Sequence, residues 1–294
     1  MKAALRWLVC VVPLASLSLP AVAGPLDDAL AAYHNGDEVA AIHLLTPLAE
    51  NGNIKAQDTL GDIYWYGDGT PADCAASLSW SRRSAELGSA EGANAMGFNY
   101  SVGQCIEQDD AKAVEWYRKG AAAGNVKSEV AMARRYLYGQ GVDKDEALGL
   151  KYLRAAADGS YDRAQIALGQ FILAGSFGAQ RDDGEAARLF RLAAEQRNDE
   201  AAFLLGSLYA GGRGVDKDFV WASMWLNLAA MHNCKPAIQL RAIIAPGLDA
   251  AAQADARALA AAWDTSHPPR DPRTHRDGGP GLCGADLSNP TAMG

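Results

Sequence analysis

The chain has 294 residues, 49% of them apolar, and a formal net charge of −8. After residue 23 it holds 25 Lys and Arg against 35 Asp and Glu. This acidic excess argues against a nucleic-acid partner, because a surface that binds phosphates needs clusters of basic side chains.

The first 23 residues have the pattern of a secretory signal peptide. Lys2 and Arg6 make a basic start, residues 8–19 are apolar, and residues 21–23 are a small-residue cleavage site. The apolar run is too short for a membrane span. We predict cleavage after Ala23, export to the periplasm or the medium, and no membrane insertion of the mature chain.

Residues 24–52 are predicted to form a degenerate opening hairpin. A short first helix lies around Ala29 to Tyr33, and Gly36 and Asp37 make the turn. A second helix runs from Val39 to Glu50 and ends before a glycine.

A pattern of about 36 residues then recurs five times between residues 53 and 233. Each unit has a small anchor residue preceded by an apolar residue. Tyr or Ile follows three residues later, and Gly follows six residues later. A fixed period in this range is typical of a solenoid. The anchors are spaced by 36, 36, 36 and 37 residues and are Gly61, Gly97, Ala133, Gly169 and Gly206.

Each unit contains two predicted helices, as the third unit illustrates. Its first helix covers Glu129 to Tyr138 and is ended by Gly139, because glycine adopts the left-handed backbone of a helix end. Asp145 is predicted to cap the second helix, which ends at Gly159. One hairpin cannot bury both of its faces, so the units must stack.

These residues carry a family resemblance. The pattern L-G-x-x-Y-x-x-G-x-G-V-x-x-D, followed by A-x-x-W and A-A-x-x-G, resembles the Sel1-like repeat, a relative of the tetratricopeptide repeat. The fifth unit matches well, with Leu205, Gly206, Tyr209, Gly212 and Asp218 in place. The second unit departs from the pattern, with Cys105 where the second loop glycine belongs. The resemblance implies an all-α, right-handed α-solenoid of about five to six stacked helix-turn-helix repeats.

The last part of the chain divides into two predicted segments. Residues 234–263 are expected to form capping helices, with Asp249 beginning a helix from Ala250 to Trp263 that covers the last repeat. From Asp264 to Gly294 the sequence is rich in proline, glycine and charge without apolar periodicity, which is typical of a disordered tail.

Four cysteines follow the signal peptide, and an exported protein can form disulfides. Cys74 and Cys105 lie in or beside the loops of neighbouring units, so a bridge between them is geometrically plausible. Cys234 and Cys283 form a second candidate pair, although Cys283 could instead pair with another chain. Four free thiols are the remaining alternative.

No catalytic residue, cofactor or metal site is predicted. The five histidines lie in no metal or nucleophile motif, and the G-x-G pairs are turn glycines between two helices. A weak metal site at His267, His275 and Cys283 is an alternative. The family also suggests a cell-wall-related enzyme, such as a β-lactamase or hydrolase, but no motif here supports one.

The resemblance implies a binding groove, because the first helices of tetratricopeptide-like solenoids line the concave face. Aromatic anchors dominate interface energetics, and acidic side chains in repeats one and two with basic ones in repeats three and four would orient a peptide. The alternative is an ordinary solvated helix face. The predicted groove residues are Asp58, Asp62, Trp65, Glu91, Asn94, Phe98, Lys127, Arg134, Arg163, Gln170 and Phe203.

The predicted function is therefore a non-enzymatic periplasmic module, monomer or weak dimer, that binds a protein or peptide partner along its concave face. An alternative that the family suggests is an immunity protein that neutralises a toxic effector in the periplasm.

Overall fold

The computed structural model describes residues 24–267 and Cys283. The predicted signal peptide and most of the predicted tail lie outside the described residues. The described part contains fourteen α-helices, one 3₁₀ turn and no strand.

The helices follow one another as antiparallel pairs, and the five predicted repeats correspond to five of these pairs. The pairs are α3 with α4, α5 with α6, α7 with α8, α9 with α10 and α11 with α12. The helices are α1 (Pro25–His34), α2 (Glu38–Glu50), α3 (Ile54–Tyr66), α4 (Cys74–Glu86), α5 (Ala90–Val102), α6 (Asp110–Ala122), α7 (Val126–Tyr138), α8 (Glu146–Asp158), α9 (Asp162–Ala174), α10 (Asp183–Glu195), α11 (Asp199–Gly211), α12 (Phe219–Met231), α13 (Lys235–Ile244) and α14 (Ala250–Ser266).

The ends of these helices are set by a few repeated residues. Every second helix of a repeat begins at an aspartate whose side chain accepts a hydrogen bond from the backbone N–H three residues later. Asp145 does this for α8, as the sequence predicts. Every first helix of a repeat ends at a glycine with φ between +66° and +74°, the left-handed conformation that favours glycine. The two signals together fix where each hairpin turns.

The anchor residues are small because a large side chain of the second helix lies against them. A Cβ added at Gly97 would stand 2.6 Å from the ring of Tyr117, and one added at Gly169 would stand 2.6 Å from the ring of Phe190. Contacts this short exclude a side chain at these two anchors. The anchor therefore sets how closely the two helices of a repeat approach.

The opening hairpin, α1 and α2, extends the array by one unit. In the fourth repeat the Gln165 amide donates to the carbonyl of Ala157, in the second helix before it, at 3.1 Å. Gln57 makes the same bond to the carbonyl of Ala49 in α2 at 2.8 Å. Helix α2 therefore takes the place that a second helix takes elsewhere, and Leu45 completes a small core below repeat one.

The second loop glycine of a repeat lies against the first residue of the preceding second helix. A Cβ at Gly141 would stand 2.5 Å from the carbonyl oxygen of Asp110, and one at Gly214 would stand 2.0 Å from that of Asp183. A Cβ at Gly69 would stand 2.5 Å from the Cβ of Glu38, the first residue of α2. Repeats two and three, and repeats four and five, therefore meet backbone to backbone at this loop, and these contacts leave no room for a side chain.

The second repeat departs from this rule in a way that explains its cysteine. Cys105 occupies the second loop glycine position, and Cys74 is the first residue of the preceding second helix, α4. The structure joins these two residues by a disulfide, with Cα atoms 5.2 Å apart. A covalent bond therefore stands where repeats three and five have a close glycine contact.

The C-terminal helix extends further than the sequence predicts. Helix α14 packs on α12 and runs to Ser266, three residues past the predicted end at Trp263. Arg197 holds this extension, since its guanidinium bonds the Asp264 carboxylate at 2.6 Å and the carbonyl of His267. Asp264, predicted as the first residue of a disordered tail, is therefore helical. Beyond it, Cys283 is joined to Cys234 at the start of α13.

Candidate binding surface

The first helices of repeats one to three lie close to one another. Helix α3 contacts α5, and α5 contacts α7, whereas the second helices of these repeats contact one another less or not at all. In a curved stack the row of elements with the closer spacing lies on the inner side. We call the exposed side of α3, α5, α7, α9 and α11 the inner face.

An aromatic pair bridges two repeats on the inner face. The ring centroids of Trp65 in α3 and Phe98 in α5 are 5.5 Å apart, at an interplanar angle of 82°. Phe98 remains 42% exposed, and Trp65 is half-buried. Edge-to-face contact stabilises the pair but leaves apolar ring surface open to solvent. Such a surface suits an apolar side chain of a partner.

Phe203, the third predicted aromatic anchor, is placed differently. It is half-buried and packs against the main core. Phe203 lies three residues before its anchor, whereas Phe98 lies one residue after its own. Ile166, at the position of Phe203 in the preceding repeat, is only 6% exposed. This position therefore points partly between helices, and most of the Phe203 ring stabilises the core.

The acidic side of the inner face has one carboxylate that links two repeats and two that are exposed. Both Asp58 oxygens accept a hydrogen bond from the Ser89 hydroxyl, at 2.9 and 2.8 Å. Burial raises the pKa of Asp58, and hydrogen bonds from Ser84 and Ser89 only partly oppose it. Asp58 therefore links repeats one and two, while Asp62 and Glu91 are exposed.

Asn94 has the same role as Asp58 one repeat later. Its amide oxygen accepts a hydrogen bond from the Ser128 hydroxyl at 3.2 Å. A polar residue three positions before the anchor therefore joins two repeats in both cases. The sequence alone does not distinguish such a link from a partner-binding residue.

The other half of the inner face carries the predicted basic residues. Arg134 and Arg163 are exposed, and Lys127 is half-buried. Gln170 lies 3.4 Å from a carboxylate oxygen of Glu200, so it bridges repeats four and five. Asp62 and Glu91 are thus exposed on repeats one and two, and the two arginines are exposed on repeats three and four.

A second aromatic cluster was not predicted from the sequence. The ring of Phe177 lies between Tyr138 and Phe171, with centroid distances of 5.5 and 4.7 Å. Phe177 has a φ of +52°, which is uncommon for a bulky side chain. Tyr138 is 56% exposed. The one signal in the sequence is the extra residue in the loop of repeat four.

The titratable groups at the end of the array are structural. His232 Nδ1 lies 2.8 Å from a carboxylate oxygen of Asp199, which joins the end of α12 to the start of α11. Burial raises the pKa of Asp199, and the contact with His232 opposes this. Within residues 24–267 and Cys283, no cluster of three or more His, Cys, Asp or Glu is placed to hold a metal ion.

Comparison with known proteins identifies the repeats. The model of the Sel1 repeat matches residues 54–89, 90–125, 126–161, 162–198 and 199–234. The chain belongs to the Sel1 repeat family. Sel1 repeat proteins mediate protein–protein interactions and generally act as non-enzymatic scaffolds. No curated protein matches the chain.

Three solved structures are similar to this chain, and the first two share its fold. A Sel1 repeat protein from Oxalobacter formigenes is 30% identical and covers 69% of this chain and 84% of that chain, with a TM-score of 0.58. The Pseudomonas aeruginosa protein 5086 is 19% identical and covers 71% of this chain and 83% of that chain, with a TM-score of 0.50. An immunity protein from the same organism is 18% identical and covers 86% and 89%, with a TM-score of 0.48. Across the described residues, no helix of this Sel1 repeat protein has both the length and the apolar character of a membrane span.

Proposed function

We propose that this Sel1 repeat protein is an exported, non-enzymatic module that binds a segment of a protein partner along its inner face. The pattern of residues 1–23 supports export. Two intrachain disulfides support it as well, because such bonds persist in oxidising compartments like the periplasm. In this proposal the module is a monomer or weak dimer and needs no cofactor.

The observation that carries the proposal is the open aromatic pair, Trp65 with Phe98. Both residues lie on the row of helices that the stack brings closest together. Stacking of the repeats does not need an aromatic ring at the position of Phe98, since Arg134 and Gln170 occupy that position in the next two repeats. An open aromatic pair is the kind of anchor that carries most of the energy in protein interfaces.

The test is affinity capture from periplasmic extract and culture medium with the mature chain as bait. The variant Trp65→Ala/Phe98→Ala removes the pair, while Phe203 is left intact because it stabilises the core. Trp221→Ala is the matched control, since Trp221 is also 42% exposed but lies on the second helix α12. Circular dichroism establishes that all three proteins are folded.

A partner that binds the parent and the control but is lost from the double variant supports the proposal. A partner that all three proteins retain places binding outside the inner face and contradicts it. If the partner is a secreted toxin whose activity the protein suppresses, the module is an immunity protein.

A further inference from the structure

We infer that Arg134 is the anion-binding group of the inner face, and that the partner segment carries an acidic side chain about three residues from the apolar one that contacts Trp65 and Phe98. The inference rests on the proposed function and adds the chemistry of the partner. It follows from three side chains at one repeat position.

Asp62, Phe98 and Arg134 each lie one residue after the anchor of their repeat. They stand on three successive first helices, α3, α5 and α7, and all three are exposed. The inner face therefore presents an acidic, an aromatic and a basic side chain in a row. A segment that crosses these helices meets them in that order or the reverse.

Arg134 is exposed to a partner, whereas the next residue, Arg135, is buried in an ion pair. Arg135 is 6% exposed, and its guanidinium lies 2.5 Å from the Asp110 carboxylate of the preceding repeat. Arg134 is exposed, interacts electrostatically with the Tyr117 hydroxyl, and makes no hydrogen bond or ion pair within residues 24–267. A guanidinium binds a carboxylate through two parallel N–H donors, which gives both charge and geometry to the recognition.

The helix spacing sets the spacing of the partner's residues. Packed helices lie roughly 8–10 Å apart, and an extended chain advances about 3.3 Å per residue. Phe98 and Arg134 are therefore separated by about three residues of an extended segment. The complementary segment has an apolar residue with Asp or Glu about three positions away.

The experiment is selection of random 12-residue peptides displayed on phage against the immobilised mature protein. The parent is compared with Arg134→Glu and with Arg118→Glu. Arg118 is the matched control, because it is exposed on the second helix α6. We expect the parent and the control to enrich an apolar residue with Asp or Glu about three positions away, and Arg134→Glu to enrich Lys or Arg there.

A synthetic peptide of the enriched sequence then measures the pair directly. Replacing its acidic residue by the amide should weaken binding to the parent by about tenfold, the usual effect of a hydrogen-bonded charge. The same replacement should leave binding to Arg134→Gln unchanged. Equal weakening in both proteins would show that another group binds the acid and would overturn the inference.

The selection separates the inference from the proposed function. An enriched sequence without an acidic residue overturns the inference. The proposed function still stands if Trp65→Ala/Phe98→Ala abolishes that enrichment. No enrichment from the parent, or enrichment that this double variant retains, overturns both.

Discussion

Loss of the disulfide between Cys74 and Cys105 should destabilise one end of the array. The two residues are separated by 31 positions. Closing a loop of this length removes about 12 cal/mol/K of entropy from the unfolded chain, which is about 3.7 kcal/mol at 25 °C. The double variant Cys74→Ala/Cys105→Ala should lose this free energy of unfolding with little loss of packing, since both side chains are small.

The assay is amide hydrogen exchange followed by mass spectrometry, because a stack of repeats opens in parts. A loss of about 3.7 kcal/mol corresponds to a decrease in protection of up to about 500-fold. We expect the decrease in α3 to α6, on both sides of the bond, and little change in α11 and α12.

Two results would refute this reasoning. One is a loss of protection below about tenfold in α4 and α5, which would mean that the bond constrains the unfolded chain far less than its loop length implies. The other is an equal loss in α11 and α12, which would mean that the array unfolds as one unit. Thiol labelling of the unreduced parent is the control, since a parent with free Cys74 and Cys105 cannot lose the bond.

Three further substitutions should change stability in urea denaturation, each for a different reason. Asp58→Asn should stabilise the protein at pH 7, as Asn94 occupies the same position one repeat later. The raised pKa of Asp58 means that its ionised form is unfavourable in the folded state. The gain in the free energy of unfolding is therefore complete above the folded pKa and should vanish as the pH falls below the ordinary value of 3.8. An equal gain at pH 7 and at pH 3 would contradict this reasoning. Ser160→Gly should stabilise the protein by about 1 kcal/mol, because Ser160 has a φ of +62° at a position where earlier repeats have glycine. No gain in stability would show that the serine backbone is not strained. Gly214→Ala should lower the free energy of unfolding by about 3 kcal/mol or more, and Gly88→Ala by only about 1–2 kcal/mol. Both glycines have a positive φ, but an added Cβ meets a backbone oxygen only at Gly214. Equal losses would exclude the loop contact.

Much of the fold could be predicted from local signals in the sequence. Gly139 and Asp145 mark where a helix ends and the next one begins, and both signals act within a few residues. The 36-residue period then fixes the stacking, because each pair of helices needs a neighbour. The end of α14 could not be predicted, since Arg197 holds Asp264 from a position 67 residues earlier in the chain.

The inner face was harder to predict than the helices. Phe98 and Phe203 are the same residue type on equivalent helices, yet one is open and the other packs against the core. Their positions relative to the anchor differ by four residues, which is a rotation of about 40° about the helix axis. The repeat pattern does not show which of these two positions lies between helices. Asp58 shows the same limit, because its bond to Ser89 depends on the distance between two repeats.

The positions of the two disulfides have a consequence for the resistance of the protein to proteolysis. In a linear stack the outermost units have a neighbour on one side only, so fraying and proteolytic attack begin there. The bond between Cys74 and Cys105 lies near the first end, and the bond between Cys234 and Cys283 lies at the last. If a protease cuts the chain between the two cysteines of either bond, the disulfide keeps the two fragments joined. The repeats at both ends therefore stay attached to the array, whereas a reduced chain with the same cut would lose them.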